Sequence, residues 1–298
     1  LFYTDAYWLV ADGVYSAQRA VLLSPCPHPE SRRAIPTSPK GEVGGPHKAL
    51  GTRRVALYTP RMSHASPNHD DRKGQPIDML VLHYTDMLSA EAAIARLCNP
   101  EAQVSAHYVI DEKGGVTQLV DESQRAWHAG ESHWRGNANV NSRSIGIELA
   151  NPGHSNGYVP FPDAQMESVI ALSQQIVARH AIPARNVVGH SDIAFLRKQD
   201  PGHLFDWQML ARAGVGMFPF DARPMVGSAQ KRGDTGTKVI RLQTALSNWG
   251  YGLKLDGDYG VKTEKCVIAF QRHYRPGNID GVWDDECAGL LAALHGMV

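Results

Sequence analysis

Two histidines and an aspartate, His83, His190 and Asp200, fall where predicted strands end or in the loop that follows. Catalytic zinc takes three protein ligands of these types and keeps a fourth position open for water, the arrangement of metal-assisted hydrolysis. Glu148 stands inside the apolar run Ile145-Gly146-Ile147-Glu148-Leu149, where a carboxylate is costly unless it is paired or at work. Lys198 precedes Asp200 by two residues, so one loop can deliver a ligand and a cation to one cavity. Each residue also has an ordinary reading. A lone histidine in a strand is more often a satisfied core or edge residue, alternation can turn a glutamate to solvent, and most lysines are solvated. On spacing alone the metal reading and the structural reading stand about even.

The elements that must position these residues begin at Ile77. Asp78–Tyr84 is an apolar run bounded by polar residues and predicts a buried strand ending at His83. Ser89 is placed as the N-cap of a helix over Ser89–Leu97. His107–Asp111 and Val116–Val120 flank Lys113-Gly114-Gly115, a strand–turn–strand pattern. Ser144–Leu149 and Asn186–Gly189 read as further strands, Asp163–His180 as a long amphipathic helix and Phe205–Ala213 as a short one. The alternation predicts an α/β domain over 77–220, a mixed sheet flanked by helices. A Gly-, Arg- and Pro-rich linker is expected at 221–233, then a small all-α domain over 234–298. There an Asp-Gly turn precedes a helix twice, at Asp256-Gly257 before Val261–Tyr274 and at Asp280-Gly281 before Asp284–His295.

Before Ile77 the chain does not read like a domain. Pro25–Pro46 is crowded with Pro, Gly, Ser and Arg, and residues 1–76 are expected to be a poorly structured or non-native extension, with the functional protein starting near Met62. Asp5 and Asp12 interrupt the early apolar stretch, and no small-residue cleavage site follows, so a signal peptide is not expected.

Composition excludes other classes. Hydrophobic residues at 43% and charged residues at 20% of 298 describe an ordinary globular chain, and no apolar run is long enough to span a bilayer. Lys+Arg and Asp+Glu both number 30, so no net field draws the chain to nucleic acid. The four cysteines, Cys26, Cys98, Cys266 and Cys287, form no C-x-x-C pair and offer no thiolate zinc site. Cys266 and Cys287 can pair in an oxidising compartment, though two small buried apolar side chains is the commoner outcome.

Six segments then occur in order: Leu82-His83-Tyr84-Thr85, Ser105-Ala106-His107-Tyr108, Ala126-Trp127-His128-Ala129-Gly130, Ser144-Ile145-Gly146-Ile147-Glu148-Leu149, Val188-Gly189-His190-Ser191-Asp192-Ile193-Ala194 and Arg197-Lys198-Gln199-Asp200-Pro201-Gly202. Together they resemble the N-acetylmuramoyl-L-alanine amidase family, whose fold is shared with peptidoglycan recognition proteins and certain phage lysins. The resemblance runs from about Ile77 to Phe220. Residues 234–298 are similar, more weakly, to a peptidoglycan-binding module, through the Asp-Gly turns and Ala269-Phe270-Gln271.

The resemblance implies a Zn2+ cofactor held by His83, His190 and Asp200, with Glu148 as catalytic base and Lys198 stabilising the oxyanion. It places Trp127 and His128 along the substrate cleft and His107 on the strand beside it. The implied substrate is peptidoglycan or its muropeptides, cut between the lactyl group and L-alanine. The rival is a receptor on the same fold that binds wall fragments without cutting them. Receptors commonly lose a zinc ligand, and here all three are kept. Two positions depart from the pattern: His203 stands where relatives usually have proline, and Ala106 where phage-type members have tyrosine. A wall-degrading role points to the cell envelope, while the missing export signal points to a cytoplasmic enzyme acting on small muropeptides.

Overall fold

The computed structural model describes residues 64–298. Cys26 and the expected start near Met62 lie outside them. In chain order the catalytic part holds β1 (His69–Asp71), β2 (Met79–Tyr84), α1 (Ala90–Leu97), β3 (Tyr108–Ile110), β4 (Val116–Gln118) and β5 (Gln124–Ala126). It continues with α2 (Val140–Arg143), β6 (Ser144–Leu149), α3 (Gly153–Asn156), α4 (Asp163–His180), β7 (Val187–Gly189), α5 (His190–Ile193) and α6 (Trp207–Arg212). Three helices follow: α7 (Thr237–Trp249), α8 (Val261–Tyr274) and α9 (Asp285–Gly296).

The central sheet has strand order β4-β3-β6-β2-β7. β3, β6, β2 and β7 run parallel, and the β3–β4 hairpin is antiparallel. β2 reads MLVLHY and is buried throughout, as a central parallel strand covered on both faces must be. Residues along β3 alternate between two cores. Tyr108 and Ile110 join Met166, Val169, Leu172 and Ile176 of α4, whereas Val109 joins Leu97 of α1 with Leu119 and Val120. Ser89 caps α1, its hydroxyl accepting the Ala92 N–H at 3.2 Å. The fold class is the expected one.

The expected boundary at Ile77 is too late. β1 pairs with β5, and Ser66, Asn68 and Arg72 are buried. Asn68 Nδ2 donates to the carbonyls of Asn99 and Val104 at 2.8 and 2.9 Å, and Ser66 Oγ donates to Leu97 O at 2.5 Å. A short polar segment fixed by bonds to distant loops carries no apolar periodicity, so its order is invisible to pattern reading.

In the C-terminal part the repeated turns have a common brace. Gln243 Nε2 donates to Asp256 Oδ1 and Asp258 O, and its Oε1 accepts the Gly257 N–H. Gln271 repeats this with Asp280 Oδ1, Val282 O and the Gly281 N–H. Gly257 and Gly281 have φ of +72° and +71°, a conformation that favours glycine. Cys266 and Cys287 are buried free thiols, the commoner outcome.

The expected linker also makes contacts of its own. Residues 221–233 contain no helix or named strand, yet they are tied down. The Met225 N–H bonds to Asp285 O at 2.8 Å, and Gln230 pairs with Trp283. The C-terminal and catalytic parts share one hydrophobic core, in which Tyr251 packs edge-on against Trp134 and Phe195. Two apolar surfaces that face each other gain more by joint burial than by separate hydration.

Candidate active site

The parallel pairing of β2 with β7 sets Leu82 opposite Gly189, so the next residues along, His83 and His190, emerge at adjacent strand ends. His190 does not end the strand, as expected, but opens α5. The loop after α5 then folds back: Ser191 N–H bonds to Asp200 O at 2.8 Å, bringing the Asp200 side chain to the two rings. His83 Nδ1 lies 2.9 Å from His190 Nδ1 and 3.1 Å from Asp200 Oδ2, and His190 Nδ1 lies 2.9 Å from the same oxygen. All three residues are buried. A tetrahedral zinc with bonds of about 2.0 Å needs ligand atoms roughly 3.3 Å apart, close to this triangle.

Each imidazole is anchored through its other nitrogen. His190 Nε2 faces Ala129 O at 3.1 Å, and His83 Nε2 faces His128 Nδ1 at 3.0 Å. Burial, with the neighbouring His190, pushes His83 down to about 4, so its ring is neutral, as a ligand must be. Burial alone would raise Asp200, but the two imidazoles, His190 first, outweigh it and hold the carboxyl well below its ordinary range.

Glu148 sits opposite His83 in the β2–β6 register, so both side chains leave the same face of the sheet. Burial and then the Asp200 charge push its carboxyl well above the usual range, against the pull of Lys198. Its Oε2 is buried without a protein partner. An acceptor left open beside three converging ligand atoms suits a water on a metal, so the donor set and its surroundings fit zinc. Glu148, Lys198, Trp127, His128, His190 and Asp200 all line one cavity of about 380 Å³.

His107 is not in that cavity. Its ring is wholly buried, with Nδ1 accepting the Gly146 N–H at 3.0 Å and Nε2 meeting Arg72 Nη2 at 2.8 Å. A residue next to a cleft motif can still face inward, because strand neighbours alternate sides. His128 reaches the cavity wall, but both ring nitrogens are engaged within the protein, Nε2 facing Ser144 Oγ at 3.1 Å. His203 lies apart from the triad, packing edge-on against Tyr158, and Ala106 is buried in the smaller core.

Several contributors escaped sequence reading. Asn141 Oδ1 accepts the N–H groups of His128 and Ala129 at 3.1 and 2.7 Å and so sets the course of that segment. Gly146 leaves room for the His128 ring, since an added Cβ would lie 2.5 Å from its Cγ. Arg197 lines the cavity and bonds to the carbonyls of Ala129 and Glu131. The glycine in a strand was the one available signal.

Residues 73–203 match the model of the N-acetylmuramoyl-L-alanine amidase family, and residues 235–291 match that of a peptidoglycan binding domain. The chain is 38% identical over 232 residues to N-acetylmuramoyl-L-alanine amidase AmiD of Escherichia coli, covering 73% of this chain and 82% of that protein. It is 36% identical over 160 residues to 1,6-anhydro-N-acetylmuramyl-L-alanine amidase AmpD of Enterobacter cloacae, covering 48% and 83%. Among solved structures, the Escherichia coli AmiD complex with anhydro-N-acetylmuramic acid-L-Ala-D-gamma-Glu-L-Lys superposes with a TM-score of 0.63 at 33% identity, covering 80% of this chain and 92% of that one. AmpDh3 from Pseudomonas aeruginosa with an anhydromuramic pentapeptide gives 0.60 at 29% identity, covering 83% and 99%.

Proposed function

The chain belongs to the N-acetylmuramoyl-L-alanine amidase family, and from that premise we propose that its cleft cuts the amide between the lactyl group of N-acetylmuramic acid and L-alanine, with zinc held by His83, His190 and Asp200. The observation that carries this is the convergence of three buried ligand atoms beside the unpartnered Glu148 Oε2. When bound, zinc lowers the pKa of a coordinated water to about 7 and polarises a carbonyl.

The protein's own groups supply the rest. Glu148 takes the proton of the attacking water and passes it to the leaving alanine nitrogen. Lys198 holds the charge that develops on the lactyl carbonyl oxygen. Trp127 and His128 border the substrate's path, while His107 supports the strand behind it.

A receptor without activity is disfavoured, because His83, His190 and Asp200 converge and Glu148 and Lys198 line the same cavity as His190 and Asp200. The test is mass analysis of peptidoglycan digested by the zinc-loaded protein. Stem peptides with a free L-alanine amine are expected; intact muropeptides alone would refute the reading. Parallel digests of insoluble sacculi and soluble muropeptides decide between wall polymer, which places the work in the cell envelope, and recycled fragments. No helix of the described residues is long and apolar enough to cross a membrane.

A further inference from the structure

Asp192 follows the ligand His190 by two residues, and its side chain is 1% exposed. A carboxylate so placed needs its lone pairs filled. Oδ2 accepts the Gly189 N–H at 2.8 Å, closing the strand-to-helix turn from which His190 projects. Two further donors come from the C-terminal part. Tyr251 donates its hydroxyl to Oδ1 at 2.8 Å, and His273 donates Nδ1–H to Oδ2 at 2.8 Å. Burial, then the charge of Asp192, pushes the Tyr251 phenol well above its ordinary range, so it remains a donor.

The same contact is shaped as well as bonded. His273 stacks on Trp207 with ring centres 3.8 Å apart. Above that stack Gly189 has no room for a side chain, since an added Cβ would lie 2.7 Å from Pro201 Cδ and 3.2 Å from Trp207. One residue before His273, Arg272 Nη2 donates to Gln199 Oε1 at 3.1 Å, beside Asp200. The C-terminal part therefore touches both segments that carry ligands after β7.

We propose that Tyr251 and His273 are positioning residues for the metal site, bracing His190 through Asp192, so that the C-terminal helices help to build the catalytic centre as well as serving any wall contact. The inference rests on the metal-ligand reading above. Removing either donor leaves a buried carboxylate short of a partner, and the turn over residues 189–193 must shift or admit water to satisfy it. His190 then loses the fixed aim that ligands draw from supporting groups.

The test uses the full chain with Tyr251→Phe or His273→Phe, each of which keeps an aromatic ring and removes the donor. Zinc affinity is read by chelator competition, and hydrogen exchange over residues 189–194 by mass spectrometry. Leu294→Ala, in the buried face of α9, is the control for general loosening. Each donor variant is expected to bind zinc about tenfold more weakly and to exchange faster over the turn, while Leu294→Ala binds as the parent does. Parent-like zinc affinity in both donor variants overturns the inference, as does an equal loss in Leu294→Ala. A parent chain that binds no zinc overturns the ligand assignment itself, and this inference with it.

Discussion

His128 stands between His83 and Ser144 as the middle of a one-way hydrogen-bond chain. Ser144 Oγ–H donates to Val140 O at 2.7 Å, a group that can only accept. The hydroxyl therefore accepts from His128 Nε2–H, and His128 Nδ1 accepts from His83 Nε2–H. That order leaves His83 Nδ1 as a lone pair aimed at His190 and Asp200, so a backbone carbonyl sets the tautomer of a candidate ligand.

His128→Ala should consequently weaken zinc binding about 10- to 100-fold, the usual penalty for removing a group that orients a ligand. Gly146→Ala should move affinity the same way, because its Cβ collides with the His128 ring. Competition with a chromogenic chelator measures both, and a His128→Ala dissociation constant equal to the parent's would remove the chain from the account.

Glu148→Gln preserves shape and removes the base. Zinc stoichiometry by elemental analysis should stay at parent level while turnover falls about a hundredfold or more. Residual turnover above one tenth of the parent's would assign proton transfer to another group.

Lys198→Ala should lower kcat about a hundredfold with a smaller change in KM, since it removes an interaction that strengthens as the oxyanion forms. A rise in KM with kcat unchanged would instead make Lys198 a ground-state binding residue.

Glu122 makes a pH prediction away from the site. Burial alone would raise its carboxyl, but bonds from Arg179, His180 and Tyr108 outweigh this and lower it. A carboxyl lowered by folding contributes stability above its unfolded pKa and loses it as pH falls through the folded value. Glu122→Gln should therefore cost about 2 kcal/mol near neutrality, and the Tm gap to the parent should close as the pH falls below the ordinary carboxylate range. A gap independent of pH would show that the charge of Glu122 contributes nothing.

Much of this was legible in the chain. α4 and β6 have the ends read from periodicity, because a long apolar stripe and a short apolar run bounded by polar residues leave few alternatives. The convergence of His83, His190 and Asp200 was legible as residue types, since strand ends in a parallel sheet converge at one edge. The buried place of His107 was not, because its partner Arg72 lies 35 residues away and no local pattern marks the contact. The brace on Asp192 was hidden for the same reason, as its donors lie 59 and 81 residues further on.

The core shared by Trp134, Phe195 and Tyr251 has a thermodynamic consequence. Sheet and tail should come apart together, giving one cooperative calorimetric peak, and proteases should release no folded amidase fragment lacking residues 234–298 at temperatures below that peak. A lesion confined to the last helix then lowers the temperature at which the enzyme fails, however far it lies from the bond being cut.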